Sequence, residues 1–237
     1  MPVHTPPVKS DFSIARQVVA AAKHYSALPA EIGDALARQM ILRTYSAGQI
    51  ICLEGEPGEY VYIVEKGWVK AVRTATDGRE QAAMFLRDGE TFGDEAVFGR
   101  TAYPVTVVAL EKVRAWAIEG SALVELTGRY PALALAYLEH LSARVLYYVQ
   151  LVEDLGLRSV QARIAHTLLH HAEMRDGLLM IPRRSWTTLD EMAARLGTVR
   201  DVLRRSLTSL ETEGILRLER SQIIILDPQK LIERGKA

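Results

Sequence analysis

The sequence predicts an α+β fold in which a β-rich segment, a long helix and a mixed C-terminal segment follow one another. Between residues 45 and 118, runs of β-forming residues alternate with glycine turns at about ten-residue spacing. From Pro131 to about Leu155, one helical pattern continues without a break. Two shorter helical patterns and a pair of apolar runs come after it, so we expect helices and a hairpin at the C-terminal end.

The β-rich segment consists of six short runs that glycine-containing turns separate. The runs cover residues 49–53, 60–65, 68–74, 81–86, 105–109 and 113–118. Short strands at such spacing are typical of an all-β barrel or roll. Residues 12–42 show helical spacing with an interruption at Leu28-Pro29, so we expect helices there and strands from Tyr45 onward.

Apolar residues repeat along the long helix at spacings of three and four. They are Leu138, Leu141, Val145, Tyr148, Val152 and Leu155. Over about two and a half heptads, this spacing is that of a coiled-coil seam. The seam packs either against its own chain or against a second copy. Gly156 is expected to end the helix, and residues 154–158 to form a hinge.

The C-terminal segment has the pattern of a helix-turn-helix. Thr188 and Glu191 have the spacing of a capping box, which predicts a helix over Leu189–Leu196. Gly197 permits a sharp turn after it. Thr198 is expected to cap a second helix.

The second helix is predicted to have one apolar face and one charged face. The charged face consists of Arg200, Asp201, Arg204 and Arg205. A basic second helix after a tight turn is typical of a recognition helix in the major groove of DNA. The runs 216–218 and 222–226 then predict a hairpin that would form a wing.

The hydrogen-bonding groups of DNA indicate which of these side chains contact bases and which contact phosphates. Arginine donates two hydrogen bonds to guanine and a carboxylate accepts from cytosine, so the predicted base readers are Arg200, Asp201 and Arg205. The predicted phosphate contacts are Thr188, Thr198 and Arg204. The alternative is a solvated charged face on an ordinary helical hairpin. Because a helix-turn-helix needs a two-fold partner to cover two half-sites, we expect the seam to join a homodimer.

Composition narrows the class of protein. The 237 residues are 49% hydrophobic and 24% charged, which is an ordinary globular composition. No apolar run reaches the ~18 residues of a membrane helix and residues 1–10 lack a signal-peptide core, so we expect a cytoplasmic protein without membrane contact. Residues from 157 onward carry a net charge of +4 against −4 in the remainder, which suits a DNA reader. No catalytic pair, metal cluster or phosphate loop is evident, so an enzyme is not expected.

Short motifs in both halves resemble a known family. They are SAGQII (46–51), EGEPG (54–58), YIVEKG (62–67), FGD (92–94), LGTVRD (196–201), LE (210–211) and GI (214–215). Over about residues 20–230, the sequence resembles the family of the cyclic-AMP receptor protein and FNR. The resemblance implies a double-stranded β-roll (a cupin-like jelly roll) that binds an effector, a long dimerisation helix and a C-terminal winged helix-turn-helix. It also implies a homodimer on double-stranded DNA with a palindromic site, and it leaves RNA polymerase open as a partner.

The resulting division has four parts: a flexible arm over residues 1–20, a β-roll over 21–130, a dimerisation helix over 131–156 and a DNA-binding domain over 157–237. The family's recognition helix presents Arg-Glu and, four residues later, Arg. These positions are Arg200, Asp201 and Arg205 here, with Asp in place of Glu. We expect an effector in the β-roll to switch DNA binding through the long helix.

The effector positions depart from the cyclic-nucleotide binders of the family. In those proteins a Glu after Phe-Gly holds the ribose and an Arg-Ser pair holds the cyclic phosphate. Here these positions are Asp94, Tyr103 and Pro104, so cyclic AMP in the usual mode is disfavoured. The predicted effector pocket consists of Phe92, Gly93, Asp94, Arg100, Tyr103, Pro104, Arg144 and Tyr148. Arg144 matches a family position near the purine, and Arg100 keeps another anion open.

Other effectors remain as alternatives. An iron–sulfur cluster of the FNR type lacks ligands because Cys52 is the one cysteine of the chain. A haem stays open as a cofactor and would need a His, Met or Cys axial ligand. No metal site is predicted, and a β-roll without any effector also stays open. The rival function is a ligand-binding regulatory module with no DNA-binding role.

Overall fold

The β-rich segment forms two antiparallel sheets in the computed structural model, which describes residues 11–175, 177–182 and 187–236. The elements up to residue 129 are α1 (Phe12–Ala21), α2 (Ala30–Gln39), β1 (Met40–Tyr45), β2 (Ile50–Cys52), β3 (Tyr60–Lys66), β4 (Val69–Thr74), β5 (Glu80–Leu86), β6 (Thr91–Phe92), α3 (Asp94–Gly99), β7 (Thr106–Ala109), β8 (Val113–Glu119) and α4 (Gly120–Arg129). One sheet has the order β1-β8-β3-β6 and the other β2-β7-β4-β5. The two four-stranded sheets confirm the predicted β-roll.

Strand β3 is buried on both faces. Tyr62 and Val64 lie in a core cluster that draws residues from both sheets, whereas Val61 and Ile63 lie in a second cluster with the helices. Successive side chains of a strand point to opposite faces, so one strand serves both cores. A strand buried in this way has a continuous apolar run instead of an alternating pattern.

Helix α1 lies where the sequence predicts part of a flexible arm. The Asp11 carboxylate accepts a hydrogen bond from the Ser13 N–H at 2.9 Å and caps the helix. Ala15, Val18 and Val19 are buried in the helical cluster. The arm prediction is therefore wrong from residue 12 onward, because this apolar face packs into the core. Residues 1–10 lie outside the described residues.

Strand β1 lies where the sequence predicts the end of a helix. Met40 pairs with Ile118 and Tyr45 with Val113, so the whole of β1 forms one edge of the first sheet. The helical prediction for residues 12–42 is wrong over its last three residues. Short apolar runs do not distinguish strand from helix, and pairing with β8 decides the outcome.

The C-terminal elements follow the predicted order. They are α5 (Pro131–Leu157), α6 (Val160–His170), β9 (Glu173–Arg175), β10 (Leu178–Pro182), α7 (Leu189–Leu196), α8 (Arg200–Thr212), β11 (Leu216–Leu218), β12 (Gln222–Ile225) and α9 (Pro228–Arg234). Helix α5 continues through Gly156 to Leu157, so Gly156 does not end it as predicted. No helix of the described ranges is both long and apolar enough to cross a membrane.

The chain divides into two compact units. The first runs up to Arg73 and again over Ala83–Leu146, and the second comprises Thr74–Ala82 and the chain from Tyr147 onward. The second unit has its own core, formed by residues of α6, α7, α8, α9 and a sheet of order β11-β12-β10-β9. The division falls inside α5, whereas the sequence places domain boundaries at residues 131 and 157.

Candidate DNA interface and effector site

The helix-turn-helix forms where the capping pattern predicts it. The Thr188 hydroxyl accepts a hydrogen bond from the Glu191 N–H at 3.2 Å, and α7 then runs to Leu196. Gly197 has a φ of 60°, in the left-handed region that favours glycine. The predicted bounds of α7 are confirmed.

Thr198 does not cap the second helix as predicted. The N-cap of α8 is Val199, which has no side-chain capping bond, and α8 begins at Arg200. The backbone N–H of Thr198 donates to the Ala193 carbonyl and so completes the end of α7. Thr198 therefore belongs to the turn between the helices, and its contact with phosphate stays a prediction.

Helix α8 presents a charged face outward. Leu203, Leu207 and Leu210 are buried in the core of the second unit. Exposed side chains on the opposite face are Arg200, Asp201, Arg204 and Arg205. All four predicted charged residues thus lie together on one accessible face of a helix.

Weak ion pairs hold the arginines of this face. Arg200 Nη1 lies 3.3 Å from Asp190 Oδ2, and Arg204 Nη2 lies 3.8 Å from Asp201 Oδ1. Arg205 Nε donates to the Asp201 carbonyl at 3.4 Å. Exposed pairs contribute ~0–1 kcal/mol, so a base or phosphate can replace these partners at little cost. The sequence does not predict that Asp190 pairs with Arg200, because ten residues and a turn separate the two.

A hairpin follows the second helix. Strands β11 and β12 pair antiparallel, with Leu216 opposite Ile225 and Leu218 opposite Ile223. The Glu219 N–H donates to the Gln222 carbonyl at 2.9 Å and closes the hairpin turn. The predicted wing is therefore present next to the helix-turn-helix.

An apolar stripe runs along the exposed side of α5. Leu138, Val145 and Val152 are 60–70% exposed and recur every seven residues. Val149, which the predicted seam omits, is 60% exposed and lies between them along the stripe. Large apolar side chains at coiled-coil spacing form a surface suited to a second helix.

The other residues of the predicted seam are less exposed than Leu138, Val145 and Val152. Leu141 and Leu155 are partly buried within the chain. Tyr148 is 36% exposed and belongs to the second unit. Leu135 and Leu146, which the seam pattern omits, are 57% and 67% exposed. The exposed surface of α5 is therefore wider than the predicted seam.

Arg144 and Asp94 form a buried ion pair in the first unit. Arg144 Nη1 lies 2.9 Å from Asp94 Oδ1 and 2.9 Å from Glu95 Oε2. Arg144 Nη2 donates to the Thr91 carbonyl at 2.7 Å. The Asp94 side chain is fully buried and Arg144 is 8% exposed. Two carboxylates and a carbonyl thus satisfy the guanidinium from within the chain.

Two stacked histidines lie beside this ion pair. The ring centroids of His24 and His140 are 4.3 Å apart. Arg144 Nη2 lies 2.9 Å from His140 Nε2; because a guanidinium only donates, His140 is neutral with its proton on Nδ1. Burial and then the Arg144 charge lower the pKa of His140, and burial and then His140 lower the pKa of His24 to about 3. Sequence reasoning missed both residues, since nothing local links them to Asp94.

Aromatic side chains fill the region around Gly93. The Tyr103 hydroxyl donates to the Tyr60 carbonyl at 2.9 Å and accepts from the Tyr60 N–H at 3.0 Å. Gly93 has a φ of 88°, and a Cβ there would lie 2.6 Å from the Tyr60 carbonyl oxygen. Phe92 stacks on Tyr62 with ring centroids 4.9 Å apart. The ring of Tyr103 therefore packs inside the β-roll, close to Gly93.

The remaining predicted pocket residues are Arg100, Pro104 and Tyr148. Pro104 is exposed, and Tyr148 belongs to the second unit. Arg100 lines an open groove of about 630 Å³ with Glu59, Glu119 and other residues, none of which is in the predicted pocket. A common pocket formed by the eight residues stays a prediction.

Ligands for a metal do not converge in the described ranges. Among the described residues, no group of three His, Cys, Asp or Glu side chains is placed to hold a metal ion. Cys52 is buried in the core between the sheets, and burial raises the pKa of its thiol. A buried neutral thiol is a poor metal ligand.

Two family models match separate parts of the chain. A cyclic nucleotide-binding domain matches residues 42–130, and a Crp-like helix-turn-helix domain matches residues 162–234. The cyclic AMP receptor protein of Thermus thermophilus is 31% identical over 177 residues, which cover 74% of this chain and 79% of that protein. This chain belongs to the CRP/FNR family of transcription regulators.

Further CRP/FNR relatives match over most of their length. The CRP-like cAMP-activated global transcriptional regulator of Mycobacterium tuberculosis is 27% identical over 206 residues, covering 85% of this chain and 91% of the relative. The crystal structure of a CRP/FNR family regulator from Thermus thermophilus is 26% identical with a TM-score of 0.65, covering 83% and 98%. FixK2 from Bradyrhizobium japonicum, at 23% identity and a TM-score of 0.72 over 84% and 98%, shares the fold.

Membership of the CRP/FNR family favours a DNA-binding transcription regulator over a ligand-binding regulatory module. A family regulator with a helix-turn-helix domain binds DNA, and the relatives are named as transcription regulators. A ligand-binding module without a DNA-binding role is not favoured.

Proposed function

We propose that this regulator binds a palindromic DNA site as a homodimer joined along α5. The exposed apolar stripe supports the dimer, because Leu138, Val145 and Val152 recur at heptad spacing and are 60% or more exposed. Contiguous apolar surface of this kind marks an interaction site in a protein in water. Two-fold symmetry would present two recognition helices to two half-sites about one helical turn apart, ~34 Å.

The proposed DNA contacts follow from the charged face of α8, the observation that carries this function. Arg200, Asp201 and Arg205 read base edges, and Thr188, Thr198 and Arg204 contact phosphates. The Thr188 hydroxyl accepts from the Glu191 N–H, and its own O–H can still donate to a phosphate. Asp201 is shorter by one methylene than the glutamate of related recognition helices, so it reaches less far into the groove.

The β-roll of this chain does not take cyclic AMP in the usual mode. Two relatives carry cyclic AMP in their names. In this chain, Asp94 is fully buried and paired with Arg144, and Tyr103 fills space next to Gly93 with its hydroxyl bonded to Tyr60. A cyclic phosphate would have to displace an aromatic ring and would find no guanidinium in exchange.

Two modes of regulation compete for the β-roll. In the first, an effector other than cyclic AMP, haem included, binds there and switches DNA affinity through α5. In the second, the β-roll has no ligand and serves only to build the dimer. Aromatic packing of Phe92 on Tyr62 favours the second mode, because this core is already filled with side chains of the chain.

Random-site selection with the full chain tests the proposed function. Recovered DNA is expected to contain a two-fold symmetric site, and sedimentation is expected to give two chains per duplex. Recovery of unrelated sequences with salt-dependent binding alone would contradict sequence-specific reading.

Thermal unfolding with added cyclic AMP tests the effector part. A ligand that binds only the folded state raises the midpoint by mass action, so millimolar cyclic AMP is expected to leave it unchanged. A raised midpoint together with tighter DNA binding would overturn the exclusion of cyclic AMP. An absorption spectrum of the purified protein separates the two modes further, because a Soret band establishes haem.

A further inference from the structure

The junction between α5 and α6 is short and polar. Helix α5 ends at Leu157, and Ser159 caps α6 by accepting from the Ala162 N–H at 3.1 Å. The last carbonyl groups of a helix have no partner within that helix and need donors from elsewhere. One donor group at this junction comes from Arg163, on the first turn of α6.

Arg163 connects the end of α5 to the helix-turn-helix. Its Nη1 donates to the Leu155 carbonyl at 3.3 Å and to the Arg158 carbonyl at 3.2 Å. Its Nη2 donates to the Gly197 carbonyl at 3.2 Å. A planar guanidinium presents these donors in a fixed fork, which a lysine ammonium on a flexible stem does not reproduce.

An apolar contact brings the same two segments together independently. A Cβ at Gly197 would lie 2.5 Å from Leu155 Cδ2, so the leucine side chain packs directly against the glycine backbone. A side chain at this position would have to displace the ends of the Leu155 and Gln81 side chains, and the φ of 60° would strain a residue that carries a Cβ. The polar contacts of Arg163 and this close packing therefore define one joint between Leu155 and Gly197.

The joint lies directly before the recognition helix. Gly197 is the C-cap of α7, and α8 begins three residues later at Arg200. Movement of Gly197 relative to Leu155 would therefore move the first turn of α8, which carries the proposed base readers. The Arg163 guanidinium and the contact of Leu155 with Gly197 together couple the C-terminal part of α5 to the recognition helix.

We propose that Arg163 is a positioning residue that sets the half-site spacing this regulator accepts on DNA. The inference rests on the proposed function, since it needs a dimer along α5 with one recognition helix on each side. In such a dimer, a fixed angle between the end of α5 and α8 fixes the separation of the two recognition helices. If this angle is no longer fixed, each recognition helix can still bind its half-site. The dimer then loses less affinity for DNA whose half-sites have a different separation.

The test uses the full chain and duplexes that carry two selected half-sites at varied separations. The separations extend from two base pairs below to two base pairs above the selected one, and a further duplex has a single half-site. The variants are Arg163→Met, Arg163→Lys and, as a control that removes one positive charge, Arg234→Gln. Arg234 pairs with Glu213 on the surface of the same unit at 2.7 Å, so this variant removes an exposed ion pair.

The wild-type chain and Arg234→Gln are expected to prefer one separation. Arg163→Met removes the three hydrogen bonds of this guanidinium in each chain and is expected to reduce that preference about tenfold, while affinity for the single half-site changes less than about twofold. Arg163→Lys is expected to lie closer to Arg163→Met than to wild type, because it lacks the fork. If Arg163→Met does not fold, the spacing preference and the single half-site affinity of Arg163→Lys are compared with those of wild type instead.

Two results overturn the inference. One is a folded Arg163 variant that keeps the wild-type spacing preference. The other is a variant that loses single half-site affinity as strongly as spacing preference, which indicates a structural role alone. Wild-type protein without site-selective binding would refute the proposed function itself, so the two failures are distinguishable.

Discussion

Arg144 on the long helix and Asp94 after strand β6 form a buried ion pair at 2.9 Å. The family resemblance places both residues at positions that face a ligand in cyclic-nucleotide binders. In this chain they bind each other, and Glu95 and the Thr91 carbonyl complete the site. The first unit therefore uses these side chains for its own cohesion, and removing one partner leaves the other as an unpaired buried charge.

Loss of Arg144 is expected to destabilise the first unit strongly. Arg144→Met leaves Asp94 buried without its cation, at an expected cost of about 3 kcal/mol in the free energy of unfolding. Urea titration followed by the fluorescence of buried Trp116 measures this cost. The double variant Asp94→Asn/Arg144→Met is expected to lose less of the free energy of unfolding than Arg144→Met, because it has no uncompensated carboxylate at residue 94.

A surface ion pair provides the matched control. Arg73 Nη2 lies 2.6 Å from Glu54 Oε1, with the arginine side chain 67% exposed. Arg73→Met is expected to cost less than about 1 kcal/mol, because solvent screens this pair. An Arg144→Met variant no less stable than Arg73→Met would show that the buried pair is unimportant.

Stability is expected to fall in mild acid because His24 is buried and neutral. Its pKa is lowered from 6.5 to about 3, so the folded state binds fewer protons than the unfolded state below about pH 6.5. The contribution of His24 to the free energy of unfolding is then constant well above pH 6.5 and decreases as the pH falls toward 3. Between pH 7.5 and 5, His24 accounts for a loss of about 2 kcal/mol.

The variant His24→Phe tests this pH dependence. Phenylalanine keeps a ring next to His140 and has no proton to bind, so the loss between pH 7.5 and 5 is expected to shrink. His170→Phe serves as the control, because it replaces an exposed histidine by the same residue. Equal acid sensitivity of His24→Phe and wild type in urea titrations would refute the role of His24.

Local patterns in the sequence predicted the helix-turn-helix well. Thr188 and Glu191 mark the start of α7 and Gly197 its end, and each signal acts within four residues. The β-roll was predictable for the same reason, since glycine turns separate most of its strands. Helix α9 was missed, although Asp227 caps it with Pro228 in the first turn, a signal within the sequence.

The sequence did not predict the contacts between residues that are far apart in the chain. Arg144 could be matched to a ligand-facing position, but its partner Asp94 lies fifty residues away and no local pattern joins them. Strand β1 had apolar residues that fit a helix equally well, and its pairing with β8 across some seventy residues decided the outcome. Tertiary partners, which periodicity does not record, explain both failures.

A charge on the stripe of α5 is expected to separate the proposed dimer. Val145→Asp places a carboxylate among exposed apolar residues that would be buried between two chains, and an unpaired buried charge is costly. Sedimentation velocity is expected to show monomers of the variant at concentrations where wild type is dimeric.

Val124→Asp makes the same substitution outside the stripe. Val124 lies on α4 and is 41% exposed, so this variant is expected to remain dimeric. A dimeric Val145→Asp, or a monomeric wild type at high micromolar concentration, would refute the dimer along α5.

The proposed base contacts and phosphate contacts of α8 can be tested separately. Arg200→Ala is expected to cost about 1–3 kcal/mol at the selected site and to relax the preference at one base pair of each half-site. Arg204→Ala is expected to weaken binding to all sequences alike and to reduce the salt dependence. Titrations at two salt concentrations on selected and unrelated duplexes measure both effects. Equal losses on both duplexes for Arg200→Ala would assign Arg200 to phosphate instead.

The most direct measurement is site selection from random DNA with wild type and Arg205→Ala side by side. We expect a two-fold symmetric site for wild type, and for Arg205→Ala the same site with one base pair per half-site no longer specified. Identical base preferences for the two proteins, or no enriched site for wild type, would contradict sequence reading by the charged face of α8.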